Sequence, residues 1–308
     1  MHTTTTETQP STAELSHRQG AALVLFAGVV FSFGGLAFRS TSTASAWEYL
    51  TMRGLGMLAI TLVVFVVQNR HRLVEVRSRF APIHMFIGVL LAAMNALFIV
   101  SREHTTVAFV LFMQPASPIA AAYFTWLFTK ERVSRNVVVS TIVTIIGVTI
   151  MVSGSILQDL SLAGLITLAI PVMFGFYTTV VRTSDKIDPS VPLITAGVVL
   201  VMAGVIFVLI DGGYTMSQGD ALIGLFAGSL LLGLPLAVFN RAQRVVSSPE
   251  ATLLLMIEVL LAPVWVWLFA DESVEVTTLI GGAFILGAVV WLTVRRGPRP
   301  GRVFSSRG

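Results

Sequence analysis

Two ionisable side chains stand inside long apolar runs of this 308-residue sequence: Arg53 in YLTMRGLGMLAITLVV and Glu258 in LLLMIEVLLAPVWVW. A charge at hydrocarbon depth costs ~3 kcal/mol on insertion scales, so such a residue is a functional candidate by default. Glu258 can receive a substrate ammonium, exchange a proton, or pair with Arg53. Arg53 presents a planar fork that matches a carboxylate. The plainer alternative for both is an ion pair that fixes helix packing.

Uncharged polar residues form the next tier. Asn95 sits in AAMNALF, Gln114 in LFMQPASP, and Ser117 beside Pro118. Pro115 and Pro118 each lack a backbone donor and disfavour a continuing helix, and carbonyls freed there can line a cavity. Asn95 and Gln114 can equally bond neighbouring helices. The third tier is aromatic. GVVFSFGGLAFR (28–39) and PVMFGFYTTVVR (171–182) place Phe31 with Phe174, and Phe33 with Phe176, at matched positions 143 residues apart. Packing is the ordinary role of such rings, but matched rings also suit the walls of a solute site. Tyr177 and Thr178 stand where the first copy has Gly34 and Gly35, so the symmetry breaks there.

Other chemistries are excluded. There are no cysteines, hence no disulfide, thiolate metal site or redox centre. Lys130 and Lys186 both follow non-glycine residues, so no phosphate loop is present. The histidines, His2, His17, His71, His84 and His104, fall in tails, loops or near helix ends. No nucleophile–base set can be assembled at membrane depth. The chain is expected to be no enzyme and to take no cofactor or metal.

The elements that position these residues follow from composition. The chain is 55% hydrophobic and 12% charged, against about 25% charged in soluble domains. Apolar runs near the ~20 residues that cross a bilayer predict ten spans, at 20–38, 46–68, 81–101, 105–129, 134–153, 161–181, 190–210, 220–240, 248–270 and 275–294. Residues 1–19 read as a disordered cytoplasmic tail without signal-peptide character, and 295–308 as a basic cytoplasmic tail. With the N-terminus inside, 17 of the 20 cationic residues fall on the cytoplasmic side: Arg18; Arg70, Arg72, Arg77 and Arg79; Lys130, Arg132 and Arg135; Arg182 and Lys186; Arg241 and Arg244; and Arg295, Arg296, Arg299, Arg302 and Arg307. That bias sets orientation. It also assigns the basic charge to anionic lipid rather than nucleic acid.

The duplication runs on. SPIAAAYFTWLFTKE ends in Glu131, and EVLLAPVWVWLFADE ends in Glu272, 141 residues later. Two halves result, 20–153 and 161–294, with five spans each. An odd number inverts the second copy in the membrane, the frame of alternating-access transporters with substrate near the midplane between repeats. The expected fold class is all-α polytopic: ten transmembrane helices in two inverted five-helix repeats, with both termini cytoplasmic. Spans 1–4 and 6–9 should build the cavity, with spans 5 and 10 supporting.

The Pro118–Glu131 spacing followed by an apolar last helix, its second copy with Val259 in place of the proline, and the arginine of YLTMRGLGMLAITLVV resemble the drug/metabolite transporter superfamily, in its EamA-type branch. That superfamily includes amino-acid and metabolite exporters, nucleotide-sugar antiporters and multidrug pumps. Ten-helix bacterial chains of this type are most similar to amino-acid exporters, including those for aromatic amino acids. The resemblance implies a multi-pass bacterial inner-membrane protein whose partners are a small-molecule substrate, lipid and, as candidate coupling ion, protons. Monomer and dimer both stay open. A membrane sensor or scaffold is the alternative of a different class, and it would have no use for an inverted repeat with a polar midplane.

Overall fold

The computed structural model describes residues 15–69, 82–104, 113–151, 166–184, 188, 190–270 and 276–295, and the regular elements among them are helical. In chain order they are α1 (His17–Phe31), α2 (Gly34–Arg39), α3 (Ala46–Asn69), α4 (Pro82–His104), α5 (Ala116–Thr129), α6 (Arg135–Met151), α7 (Ala169–Thr183), α8 (Val191–Ile210), α9 (Gln218–Phe226), α10 (Leu234–Ala242), α11 (Ser248–Leu254), α12 (Ile257–Ala270) and α13 (Val276–Arg295). A π-helical segment, Ala227–Gly233, joins α9 to α10.

Taking α1–α2, α9–α10 and α11–α12 as single interrupted rods, seven helices among the described residues are long and apolar enough to cross a membrane, and α6 is a shorter apolar helix. Helices are the expected solution, because hydrocarbon leaves backbone groups no partner outside the segment. Predicted spans 105–129, 134–153 and 161–181 run onto residues 105–112 and 152–165, which lie outside the described residues. So do most of both predicted tails, the cluster Arg70–Arg79, and Lys186.

The halves interleave. α3 packs on α8 and α6 on α13; α4 packs on α7 and α8; the α9–α10 rod packs on α1 and α3; α5 packs on α7 and α11; and α1 meets α11 and α12. Exchanging each element for its counterpart in the other half maps this set of neighbours onto itself, as a twofold relation between the halves requires. The matched pairs run antiparallel. Gly54 lies against Leu200 while Gly204 lies against Thr51, and Gly147 lies against Phe284 while Gly281 lies against Met151. Glycine at these crossings lets backbones approach to distances no Cβ would permit.

One face, here the near face, gathers the start of α1 with the ends of α5 and α7 and the start of α11. His17 Nε2 lies 3.2 Å from Glu250, Arg182 lies 3.6 Å from Glu131, and Ser248 Oγ donates to the Thr178 carbonyl at 3.2 Å. The far face is tied by two carboxylates. Asp220 accepts from the Ser42, Thr43 and Ala44 amides at 2.8–3.1 Å and from the Thr43 hydroxyl at 2.6 Å. Glu48 accepts from the amides of Ser45, Thr215 and Met216. Both residues begin their helices behind a serine, Ser217 and Ser45, whose hydroxyls accept from their amides. This is the usual dress of a helix start. Tyr49 is buried and packs edge-on against Phe38, while Trp47 stacks on Phe207.

Candidate functional site

Three rods break at one depth. α1 gives way to α2 at Ser32–Phe33, where the Ser32 hydroxyl donates to the Val29 carbonyl at 2.5 Å and accepts from Trp265 Nε1 at 2.7 Å. The Trp265 ring stacks on Phe33 at 4.3 Å. α11 gives way to α12 at Leu255–Met256, where the bonding shortens to the three-residue pattern of a tight turn. The third interruption is the π segment, which ends at Gly233, two residues before Pro235. Its ring clash with the preceding turn accounts for the change of register.

Between these breaks lies a cavity of about 130 Å³. Phe31, Gly34 and Gly35 line it from the first break, Leu231, Leu232 and Leu236 from the second rod, and Leu255, Met256 and Glu258 from the third. α3 contributes Arg53; α4 contributes Leu91, Met94, Asn95 and Phe98; the start of α5 contributes Gln114 and Ser117; and α7 contributes Phe174. Non-helical backbone at membrane depth is tolerated where it lines such a space. α8 lines none of it. Its Gly197 and Gly204 instead seat it against α3, and Gly88 of α4 seats that helix against Pro192 and Thr195, so span 7 supports rather than encloses. α6 and α13 line none of it either, as expected for supporting spans.

The walls are largely apolar, and a few polar groups converge on them. Arg53 is 9% exposed, and its Nε and Nη1 atoms are buried with no hydrogen-bond partner. Glu258 is close enough for the two charges to act on one another, yet they do not come within the 4.0 Å of an ion pair. A buried guanidinium without direct compensation is expensive, so the cavity is set to receive an anionic group beside it. Asn95 Nδ2 donates to the Leu91 carbonyl at 2.9 Å, which leaves its side-chain oxygen available. Ser117 Oγ is buried without a partner. The close approach of the π segment depends on Gly228, where a Cβ would overlap the Arg53 carbonyl.

Seven residues singled out from sequence therefore share this cavity: Glu258, Arg53, Asn95, Gln114, Ser117, Phe31 and Phe174. Tyr177 does not. It lies one helical turn beyond Phe174, fully buried, and its hydroxyl accepts from Asn240 Nδ2 at 2.7 Å and donates to Oδ1 at 3.0 Å. Pro115 caps the start of α5, in a turn at residues 114–115. Pro118 falls in the first turn of α5, where no intrahelical donor is missed; most of the span ahead of the pair, residues 105–112, lies outside the described residues. Sequence reasoning missed Leu231 and Leu232, because apolar residues in a π segment carry no polar signature. It also missed the break at Ser32–Phe33, which has no proline; the following glycine pair is the signal that could have marked it.

The EamA-like transporter family matches the chain twice, over residues 18–153 and again over 161–294. The chain belongs to the EamA-like transporter family. It is accordingly a multi-pass membrane protein of a transporter family in the drug/metabolite transporter superfamily, whose members are not enzymes. A solved crystal structure aligns over 90% of this chain and 98% of its own length with a TM-score of 0.75 at 14% identity, which shows a shared fold alone. No curated protein matches the sequence.

Proposed function

We propose that this EamA-family chain is a secondary transporter that exports amino acids or similar small metabolites across the bacterial inner membrane by alternating access. It crosses the membrane ten times as two inverted five-helix repeats, with both termini cytoplasmic, and holds substrate in the cavity between them. The observation that carries the reading is the pairing of an unpartnered, buried Arg53 with Glu258 on one cavity wall, near each other but not joined. A zwitterion fits that spacing, its carboxylate on the guanidinium fork and its ammonium on Glu258. Phe31 and Phe174 add an apolar wall for a side chain. One buried cation is too little for the several charges of a nucleotide sugar. One buried acid is thin for a dication.

Purified protein in liposomes, loaded in parallel with labelled amino acids, a nucleotide sugar and a quaternary cation, with and without a pH gradient, tests this. Amino-acid flux well above empty liposomes is expected, and absence of flux for every solute would overturn the transport reading. Glu258→Gln should cut flux about tenfold, the scale of one lost hydrogen bond to a charged group, at unchanged folded yield. An unchanged pH dependence in that variant would remove Glu258 from any coupling role.

A further inference from the structure

The near face of the cavity is a packed plug. Every residue of α11 is buried, Ser248 Oγ reaches the Thr178 carbonyl, and Phe239 stacks on Phe174 at 5.7 Å. Directly beneath the cavity floor, the Tyr177 hydroxyl and the Asn240 amide bond to each other across α7 and α10. Each lies one turn beyond a cavity-lining residue of its own helix, Phe174 and Leu236 respectively. The far face is different. α2 buries no residue, Gly34 and Gly35 line the cavity, and a side chain at either glycine would meet nothing within 4 Å.

Gly34 and Gly35 are the repeat counterparts of Tyr177 and Thr178. The matched turn of α4, around Phe98 and Ile99, carries no amide to answer Asn240. In a pair of inverted halves, contacts made symmetrically contribute equally to near-closed and far-closed states. Only asymmetric contacts bias the equilibrium between them. From this we infer that Tyr177–Asn240 is a one-sided latch: it holds the near face shut and sets the resting population toward the far-open state, without touching substrate. Tyr177 is thereby a positioning residue of the transport cycle rather than a binding residue. Gln243, on the same side of α10, opposes the latch. It is fully buried with neither amide atom bonded, a penalty the near-closed state carries and the near-open state relieves by admitting water.

The inference rests on the alternating-access reading, and its test separates the two. The chain has no cysteine, so single cysteines report directly. Ala251→Cys, buried in the plug, and Gly35→Cys, at the mouth, are labelled with a thiol reagent in detergent and in liposomes. Tyr177→Phe keeps the ring on Phe174 and removes only the hydroxyl. It should raise the labelling rate at position 251 about fivefold to tenfold without raising that at position 35, because one neutral buried hydrogen bond is worth roughly that factor. Gln243→Leu should do the reverse and slow labelling at 251. Unchanged rates at both reporters in Tyr177→Phe, or a rise at both 251 and 35, would overturn the latch, the latter because it signals loosening rather than a shift between two states. Should Tyr177→Phe fold poorly, Asn240→Leu removes the same bond from the other side, and an unchanged rate at 251 in that variant refutes the latch. If the rise at 251 alone appears while no solute crosses liposomes, the latch stands and the transport reading fails.

Discussion

At the scale of single residues, Arg53 decides most. Its fork and its charge make separate contributions, and Lys retains only the second. If the guanidinium receives a carboxylate, Arg53→Lys should raise KM for zwitterionic solutes about tenfold, as expected for one bidentate charge-assisted contact reduced to a point charge, while folded yield is kept. Proteoliposome flux against substrate concentration measures this. The rival role, a structural pair with Glu258, makes a different forecast: the Arg53→Gln/Glu258→Gln double variant would regain activity that each single variant lacks, since no unpaired buried charge remains. Recovery of flux in the double variant would sink the substrate-receptor role. The sequence exposed both residues because a charge in an apolar run is conspicuous. It singled out Tyr177 where the repeat symmetry breaks, but sequence does not say which way a helix is turned; one turn of α7 separates the cavity wall from the buried bond to Asn240.

At the scale of elements, glycines separate crossings from open walls. Gly228 lies where the π segment meets the backbone of Arg53, and a methyl there overlaps a carbonyl that cannot swing away. Gly228→Ala should lower stability by ~2 kcal/mol, within the range for overpacking, and show as a lower melting temperature in detergent. Gly34→Ala, in open space at ordinary helical backbone angles, should leave that temperature unchanged or raise it slightly, since alanine favours helix by up to ~1 kcal/mol over glycine. The opposite ranking of the two would show that the π segment does not hold that approach. The far-face clamp gives a second element-level forecast. Asp220→Asn replaces a carboxylate that accepts from three loop amides and a hydroxyl with a weaker acceptor. It should cost about 1–3 kcal/mol, read as faster proteolysis between α2 and α3, with full protection as the outcome against it. Apolar length and turn chemistry made most rods legible from sequence. Their interruptions were less so: Pro235 marks the end of the π segment, but nothing in LLLM marks the turn at Leu255–Met256, because backbone discontinuity there is imposed by tertiary packing rather than by residue type.

At the scale of the whole molecule, the proposed orientation predicts a sidedness that can be read chemically. The cationic residues gather on one set of connections. The described ones among them, such as Arg18 before the apolar part of α1, Arg182 at the end of α7 and Arg241 at the end of α10, sit on the near face with Glu131 and Glu250. Under the proposed orientation, which follows the bias for cytoplasmic Lys and Arg, the near face lies inside and the cavity mouth beside Gly34 and Gly35 outside. In the cysteine-free chain, Ser40→Cys and Tyr214→Cys, exposed at far-face turns, should react with a membrane-impermeant maleimide in intact cells. Glu131→Cys and Arg244→Cys, exposed at near-face turns, should react only after permeabilisation. Because both faces are sampled from both halves, a span miscounted within either half would make two reporters on the same face disagree. Reversal of all four would instead keep the fold, invert the protein in the membrane, and turn the cavity in this conformation toward the cytoplasm.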